Sequence, residues 1–153
     1  MSLKKFLVFA LLLPIGTLPA FAQSVAPAKL APGFARQDGV LSGATNGSYS
    51  LSSIAKFDRD QNPCLGFANP TPDHKIILEK GFPKLNFQVN SRGKDTTIVI
   101  KAPNGQILCG DDTGSKKDAS ISTTNLPSGE YEVWVGSIEP GKRWSYSLTI
   151  TEK

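Results

Sequence analysis

Histidine and cysteine are scarce in this 153-residue chain, which contains one histidine and two cysteines. A zinc site is built largely from several such ligands, so these numbers disfavour one. The chain also lacks the G-x-S-x-G pattern that presents a catalytic serine on a sharp turn. Because His74 has no recognisable nucleophile to activate, we predict that it is a structural hydrogen-bonding residue and that the protein is not an enzyme.

Long apolar runs are absent except near the N-terminus, where residues 6–13 (FLVFALLL) form an uninterrupted stretch. Two lysines precede this stretch, and Ala20 and Ala22 supply small residues at the positions that a signal peptidase reads. The alternative is a membrane anchor, but the run is much shorter than the ~20 residues needed to span a bilayer. We predict a signal peptide at 1–22, no transmembrane segment after its cleavage, and a periplasmic or extracellular location.

A strong charge of either sign is also missing. The whole chain has 17 basic and 13 acidic residues, and the predicted signal peptide contains two of the lysines. Removal of the signal peptide leaves a net charge of about +2 on a surface of mixed sign. Such a surface gives no electrostatic basis for nucleic-acid binding, so we do not expect nucleic acid as a partner.

Both cysteines, Cys64 and Cys109, lie in the mature part of the chain. They form no C-x-x-C pair, and neither has a histidine close by in sequence. In the oxidising compartment that a signal peptide implies, an isolated pair predicts a disulfide bond. The alternative is a metal-binding or catalytic thiol.

Sustained helical periodicity and internal repeats are absent from the mature chain, which shows short alternating segments separated by turns. Residues 85–90 alternate Leu, Phe and Val with Asn and Gln, and residues 131–136 alternate Tyr and Val with Glu, Trp and Gly. Such alternation is typical of strands with one buried face. The sequence Pro103-Asn104-Gly105 between two such segments is a strong hairpin signal, because Asn and Gly tolerate positive φ.

About eight such segments follow residue 46, and their spacing predicts an all-β, two-sheet antiparallel β-sandwich of jelly-roll-like form. The predicted domain is therefore 46–153, closed by one disulfide. Residues 23–45 are rich in Ala, Pro and Gly and contain few large apolar side chains. We interpret them as a flexible leader, which either lies on the domain or stays apart from it.

Three aspartates are candidate metal ligands: Asp111 and Asp112 at a predicted strand end, and Asp95 before a neighbouring strand. Adjacent carboxylates repel each other, and a hard cation such as calcium relieves that repulsion. Asp118, Asn104 and Thr113 are further oxygen donors. The chain has no D-x-D-x-D-G loop, and the alternative is that the carboxylates accept hydrogen bonds from turn N–H groups and stay in water.

Trp134 is the candidate ligand-binding aromatic residue. The large apolar residues of the 131–135 strand share one face, which directs Trp134 to the other. An exposed Trp134 would offer a stacking surface for a sugar ring, whereas the alternative is that it covers the sheet under a loop. Trp144 and Tyr146 share the apolar face of the last strand, so we expect both in the core.

Six short motifs occur in a characteristic order between about residues 46 and 152. They are Cys64-x-Gly66, Pro72-Asp73-His74, Asp95-Thr96-Thr97, Pro103-Asn104-Gly105, Cys109-Gly110-Asp111-Asp112 and Gly129-Glu130-Tyr131-x-Val133-Trp134-Val135-Gly136. This series resembles the bacterial pre-peptidase C-terminal domain family, whose members are β-sandwiches found mostly behind the catalytic domains of secreted peptidases. No peptidase domain precedes the motifs here, so the resemblance favours a free-standing binding role.

The resemblance implies a non-catalytic binding or accessory module. Its expected partners are an extracellular polysaccharide or protein, or a secreted peptidase. The first alternative is an accessory or inhibitory partner of a separately encoded secreted peptidase, and the second is a calcium-dependent carbohydrate-binding module. A hydrolase is the third class of function, and it would need a nucleophile beside His74.

Overall fold

The computed structural model describes residues 26–112 and 116–153, which form two β-sheets of seven and four strands. The predicted all-β, two-sheet fold is confirmed. The predicted signal peptide, 1–22, lies outside the described residues. Within the part that is described, no helix has the length and apolar character needed to cross a membrane.

Eleven strands, numbered in chain order, make up the two sheets in the described residues. They are β1 (Ala28–Leu30), β2 (Val40–Ala44), β3 (Tyr49–Ser50), β4 (Phe67–Ala68), β5 (His74–Leu78), β6 (Phe82–Asn90), β7 (Thr96–Lys101), β8 (Ile107–Gly110), β9 (Ser120–Leu126), β10 (Gly129–Ser137) and β11 (Ser145–Glu152). Two short 3-10 helices, Arg36–Gly39 and Leu51–Ser53, complete the regular structure.

The seven-stranded sheet, here called sheet A, is built around the antiparallel pair β7–β10. β8 extends it beyond β7, and β5 and β4 pair with successive parts of β10 on the other side. β1 then adds to β5 in parallel, and β3 adds to β4. The four-stranded sheet, sheet B, has the order β2-β11-β6-β9 and is antiparallel throughout.

The main hydrophobic core lies between the two sheets and contains the apolar residues of the alternating segments. β6 contributes Leu85, Phe87 and Val89, and β10 contributes Tyr131 and its alternate neighbours. Each large side chain that becomes fully buried stabilises the fold by about 1.5–3 kcal/mol. The buried Tyr131 also donates a 2.7 Å hydrogen bond from its hydroxyl group to the Pro127 carbonyl oxygen, which fixes the turn into β10.

A second, smaller core covers part of the outer face of sheet A, where the chain between β3 and β5 crosses it. Trp134 belongs to this second core, where it packs with Leu51, Val99 and the two cysteines, and only 5 % of its surface is exposed. Its indole N–H donates to the Pro70 carbonyl oxygen at 3.4 Å. The sequence parity placed Trp134 on the correct face, but its role as an exposed stacking surface is wrong because the crossing segment covers the ring.

The predicted disulfide bond joins Cys64 in that crossing segment to Cys109 in β8, with 5.2 Å between the two Cα atoms. Both residues are buried in the second core. The bond therefore fastens the crossing segment to sheet A over Trp134. Disulfides of this kind persist in oxidising compartments, in agreement with a periplasmic or extracellular location.

Residues 26–45, expected to belong to a flexible leader, contribute strands to both sheets. β1 places Leu30 in the main core with no exposed surface, and β2 forms one edge of sheet B. Gly43 has a packing reason to be glycine, because a Cβ atom there would collide with the Tyr146 hydroxyl group. The leader thus lies on the domain from residue 28 onward.

Tyr146 and Trp144 have different environments, although both were expected in the core. Tyr146 is 5 % exposed, and its hydroxyl oxygen lies 2.8 Å from the His74 Nε2 atom. Burial lowers the pKa of His74, so its neutral form is favoured in this contact. Trp144 precedes β11 and is only partly buried, so the core prediction is wrong for this residue.

Asp73 ties the start of β5 to β10. Its Oδ2 atom accepts a 2.8 Å hydrogen bond from the Val135 N–H group, and its own N–H group donates to the Val133 carbonyl oxygen at 2.9 Å. Burial raises the pKa of Asp73 from 3.8 to about 6, against the opposing effect of the Val135 hydrogen bond. Ionisation of this carboxyl group is therefore less favourable in the folded protein than in the unfolded chain.

Removal of the disulfide is expected to destabilise the protein strongly. The bond closes a loop with a sequence separation of 45 residues, which in the chain-entropy model stabilises by about 4 kcal/mol. The double variant Cys64→Ala/Cys109→Ala should lose about this much free energy of unfolding in urea. Reductant, equilibrated from the unfolded side, should lower the wild-type midpoint and leave the variant unchanged. An unchanged wild-type midpoint would contradict the prediction.

Asp73→Asn is expected to stabilise the protein at neutral pH and not at pH 4. The folded state binds the Asp73 proton more tightly than the unfolded state does, so this group's contribution to stability falls as pH rises from about 4 to about 6. Asparagine keeps an oxygen for the Val135 N–H group and carries no charge. Urea unfolding should show a gain of about 3 kcal/mol at pH 7.5 that is largely lost near pH 4. A gain independent of pH would show that Asp73 is not the titrating group.

Candidate cation site

Asp95, Asp111 and Asp112 meet at the open end of the β7–β8 hairpin. In the strand register Ile98 faces Gly110, so continuation of the two strands places Asp111 and Asp112 beside Thr97 and Thr96, next to Asp95. The closed end of the hairpin is the Pro103-Asn104-Gly105 turn, where the Gly105 N–H group donates to the Ala102 carbonyl oxygen. Hairpin pairing alone therefore brings together aspartates that are distant in sequence.

The three carboxylate groups are close enough to share one cation. One oxygen atom from each of Asp95, Asp111 and Asp112 lies within 4.8 Å of the other two. Calcium binds oxygen at about 2.3–2.6 Å, so two oxygens on opposite sides of one ion are about 5 Å apart. The spacing of the cluster thus fits ligands arranged around a single calcium ion.

Asp111 is the least satisfied member of the cluster. Its Oδ1 atom is buried and has no hydrogen-bond partner among the described residues. Burial raises the pKa of Asp111, the charges of Asp112 and Asp95 raise it further, and the Asp112 backbone N–H group has a smaller opposing effect. The alternative, in which turn N–H groups satisfy the carboxylates, does not account for this buried oxygen.

Lys117 supplies a positive charge at the edge of the cluster. Its Nζ atom lies 3.4 Å from the Asp95 Oδ2 atom, and 63 % of the lysine side chain is exposed. Exposed ion pairs of this kind contribute at most about 1 kcal/mol. Lys117 therefore neutralises part of the negative charge and would compete with a bound cation.

Of the three further oxygen donors named from the sequence, Thr113 lies outside the described residues and the other two are engaged elsewhere. Asn104 lies at the closed end of the hairpin, where its Oδ1 atom accepts from the Gln106 N–H group. Asp118 accepts hydrogen bonds from the N–H groups of Ser91 and Gly93 in the loop between β6 and β7. Neither residue is in the three-aspartate cluster.

A second aspartate loop faces the cluster across a groove of about 360 Å³, lined by residues that include Asp60, Asp111 and Asp112. Asp58 holds this loop, because its carboxylate accepts from the N–H groups of Asp60, Asn62 and Cys109 and from the Asn62 side chain. Burial opposes ionisation of Asp58, but these hydrogen bonds outweigh it and its pKa is lowered. Asp58 was not predicted from the sequence, although its spacing to Asn62 is typical of an aspartate-capped turn.

The comparisons with known proteins assign no family to this chain. No family model matches it, and no curated protein matches it in sequence. Among solved structures it is similar to CorA, a surface-associated copper-binding protein of Methylomicrobium album BG8. The identity is 11 %, the match covers 84 % of this chain and 100 % of that chain, and the TM-score is 0.46. A likeness this distant supports no functional argument.

Asp112→Asn is expected to stabilise the protein when no divalent cation is present. The exposed Asp112 adds to the repulsion felt by Asp111, so its neutralisation should raise the melting temperature in EDTA, by less than about 1 kcal/mol in free energy. Asp38→Asn, in the 3-10 helix Arg36–Gly39, removes one acidic charge outside the cluster and is the matched control. An equal gain in both variants would mean that net charge, and not the cluster, is responsible.

Proposed function

We propose that the protein is an exported, non-catalytic binding module of the pre-peptidase C-terminal type that binds calcium through Asp95, Asp111 and Asp112. The order of its sequence motifs, the two-sheet fold and the buried disulfide support this class of module. His74 contacts the Tyr146 hydroxyl group, which agrees with a structural role.

The observation that carries the calcium proposal is the Asp111 Oδ1 atom. A buried carboxylate oxygen without a hydrogen-bond donor is unfavourable, particularly beside two other carboxylates. A divalent cation would supply the missing interaction and remove the repulsion among the three aspartates. The bound ion would reduce the net charge of the three carboxylates, which lowers the cost of their partial burial.

Calcium is favoured over zinc and magnesium by the chemistry of the donors. All three side chains offer hard oxygen ligands, whereas zinc sites use histidine and cysteine, and both cysteines form the disulfide. Calcium takes 6–8 oxygens in flexible geometry, and water can occupy the positions that face the groove. Magnesium demands a stricter octahedron and gives up its water reluctantly.

Of the other binding roles, the one that uses an exposed Trp134 has no support, because this ring is buried. A partnership with a separately encoded peptidase stays a prediction of the family resemblance. Calcium binding is compatible with such a partnership, since the ion would hold Asp111 and Asp112 together beside the acidic groove.

The experiment is a melting curve of the mature protein in EDTA and then in calcium from 0.1 to 10 mM. Extracellular calcium modules have dissociation constants of about 10⁻⁴–10⁻³ M, so saturation should stabilise the protein by about 1–3 kcal/mol and raise the melting temperature by several degrees. Asp112→Asn should abolish most of the rise, whereas the control Asp38→Asn should keep it. A wild-type curve that is unchanged in 10 mM calcium would overturn the proposal.

Lys117→Gln tests the same site in the opposite direction. Loss of the competing ammonium group should tighten calcium binding about two- to fivefold, which corresponds to the energy of an exposed ion pair. Lys116→Gln removes the same charge from the adjacent exposed residue, which is in no ion pair among the described residues, and is the matched control. Equal affinities for Lys117→Gln and the wild type, measured by calorimetry, would argue against a cation held beside Asp95.

A further inference from the structure

A groove lies between the loop after β6 and the start of β11. Its volume is about 660 Å³, within the range of ligand-binding clefts. The residues lining it are cationic, aromatic or hydrogen-bonding: Asn90, Ser91, Arg92, Lys94, Arg143, Trp144, Ser145, Tyr146 and Ser147. No carboxylate is among these lining residues, although the mature chain has nearly as many acidic as basic residues.

Three exposed cations, Arg92, Lys94 and Arg143, face this groove from two different loops. None of the three forms an ion pair with another described residue, whereas Lys75, Lys101 and other surface lysines do. Like charges placed together repel one another, and an anionic ligand would relieve that repulsion. The planar guanidinium groups of the two arginines are suited to bidentate contacts with carboxylate or sulfate oxygens.

The loop that carries Arg92 and Lys94 is held in a defined shape. Asp118 accepts hydrogen bonds from the Ser91 N–H group at 2.7 Å and the Gly93 N–H group at 3.3 Å, and the Lys94 N–H group donates to the Ser91 hydroxyl oxygen. Arg92 has a φ of 62°, a left-handed conformation that favours glycine. An arginine kept in this conformation, at a position where glycine would be easier to accommodate, is consistent with a role for its side chain in binding.

Trp144 is held just as firmly on the other side of the groove. The fully buried Thr45 exchanges two hydrogen bonds of 2.9 Å with the Trp144 backbone, and its hydroxyl group donates to the Lys142 carbonyl oxygen. The indole ring is partly exposed and is one of only two tryptophan rings in the protein, the other being the buried Trp134. A partly exposed indole with a fixed backbone is suited to stack on an apolar ring face.

We infer that this groove binds an anionic saccharide chain, with Arg92, Lys94 and Arg143 contacting its carboxylate or sulfate groups and Trp144 stacking on a sugar ring. Asn90, Ser91, Ser145 and Ser147 supply hydrogen-bonding groups of the kind that recognise sugar hydroxyls. The inference rests on the proposed role as an exported binding module. It does not rest on the calcium site, which is formed by other residues.

A saccharide fits these residues better than a nucleic acid does. Single-stranded nucleic acids are bound by several aromatic side chains on which successive bases stack, along an extended cationic channel. Here one indole ring is surrounded by hydroxyl and amide groups.

Binding to heparin, polygalacturonate, neutral dextran and a 20-nucleotide oligothymidylate tests the inference, measured by calorimetry in EDTA at 50 mM NaCl. Heparin and polygalacturonate present sulfate and carboxylate groups respectively, and at least one of them should bind more tightly than dextran and oligothymidylate. The chelator separates the two proposals, because the groove should bind without calcium. If calcium does not shift the melting temperature, the calcium proposal is wrong, but saccharide binding in EDTA still tests the groove.

Two triple variants with the same change in charge identify the site. Arg92→Gly/Lys94→Gln/Arg143→Gln removes the groove cations, and the glycine suits the left-handed backbone, so the fold should be kept. Lys29→Gln/Lys80→Gln/Lys84→Gln removes three lysines that do not line the groove and is the control. Affinity for the anionic saccharide should fall at least tenfold in the groove variant and less than twofold in the control. Equal losses of affinity in the two variants would show that only the net charge of the protein matters, and would overturn the inference.

Trp144→Phe separates a saccharide from an undefined polyanion. The wild-type tryptophan fluorescence should change on saccharide binding, and this change should disappear in the variant, whose remaining tryptophan is buried. Affinity should also fall severalfold, with melting temperature used to confirm the fold. Tighter binding of the oligothymidylate than of either anionic saccharide, or no saccharide binding at 50 mM NaCl, would overturn the assignment.

Discussion

The bond between Cys64 and Cys109 is the constraint on which both the second core and the acidic loop depend. It holds the crossing segment over Trp134, and it fixes the end of β8 two residues before Asp111. The Asp58 carboxylate accepts a hydrogen bond from the Cys109 N–H group, so the same residue is fastened twice. Asp111 and Asp112 directly follow this fixed point, so their carboxylates have little freedom to move apart.

The two tryptophans show what strand periodicity can and cannot predict. Alternation along β10 correctly placed Trp134 on the face opposite Tyr131, because side-chain direction is a local property of a strand. Whether that face is wet depends on a segment distant in sequence that the disulfide holds in place. Trp144 was expected in the core by the same alternation, but it precedes the strand, where Thr45 and the turn decide its position.

The N-terminal strands were missed because their composition hides their packing. A segment rich in Ala, Pro and Gly is typical of a flexible linker. At Gly39 and Gly43, however, glycine is required because neighbouring atoms leave no room for a Cβ atom. Each contributes to a close approach between β11 and the segment 39–44, a long-range contact with no local signal.

The three-aspartate cluster was easier to predict, since a hairpin brings the flanks of its two strands together. The cationic groove was not predicted, because its residues come from loops joined only by the folded sheets.

The pairing of β2 with β11 joins the two ends of the described chain in one sheet. Residues 40–44 find their partners more than one hundred residues later, at 145–149. Closing such a distance has a large entropic cost, and folding of proteins dominated by such pairings is slow. Without β11, sheet B would lose the strand that joins β2 to β6, and one side of the main core would be exposed. Closure of the domain therefore depends on β11, because sheet B has its two halves, β2 and the β6–β9 pair, on either side of this one strand.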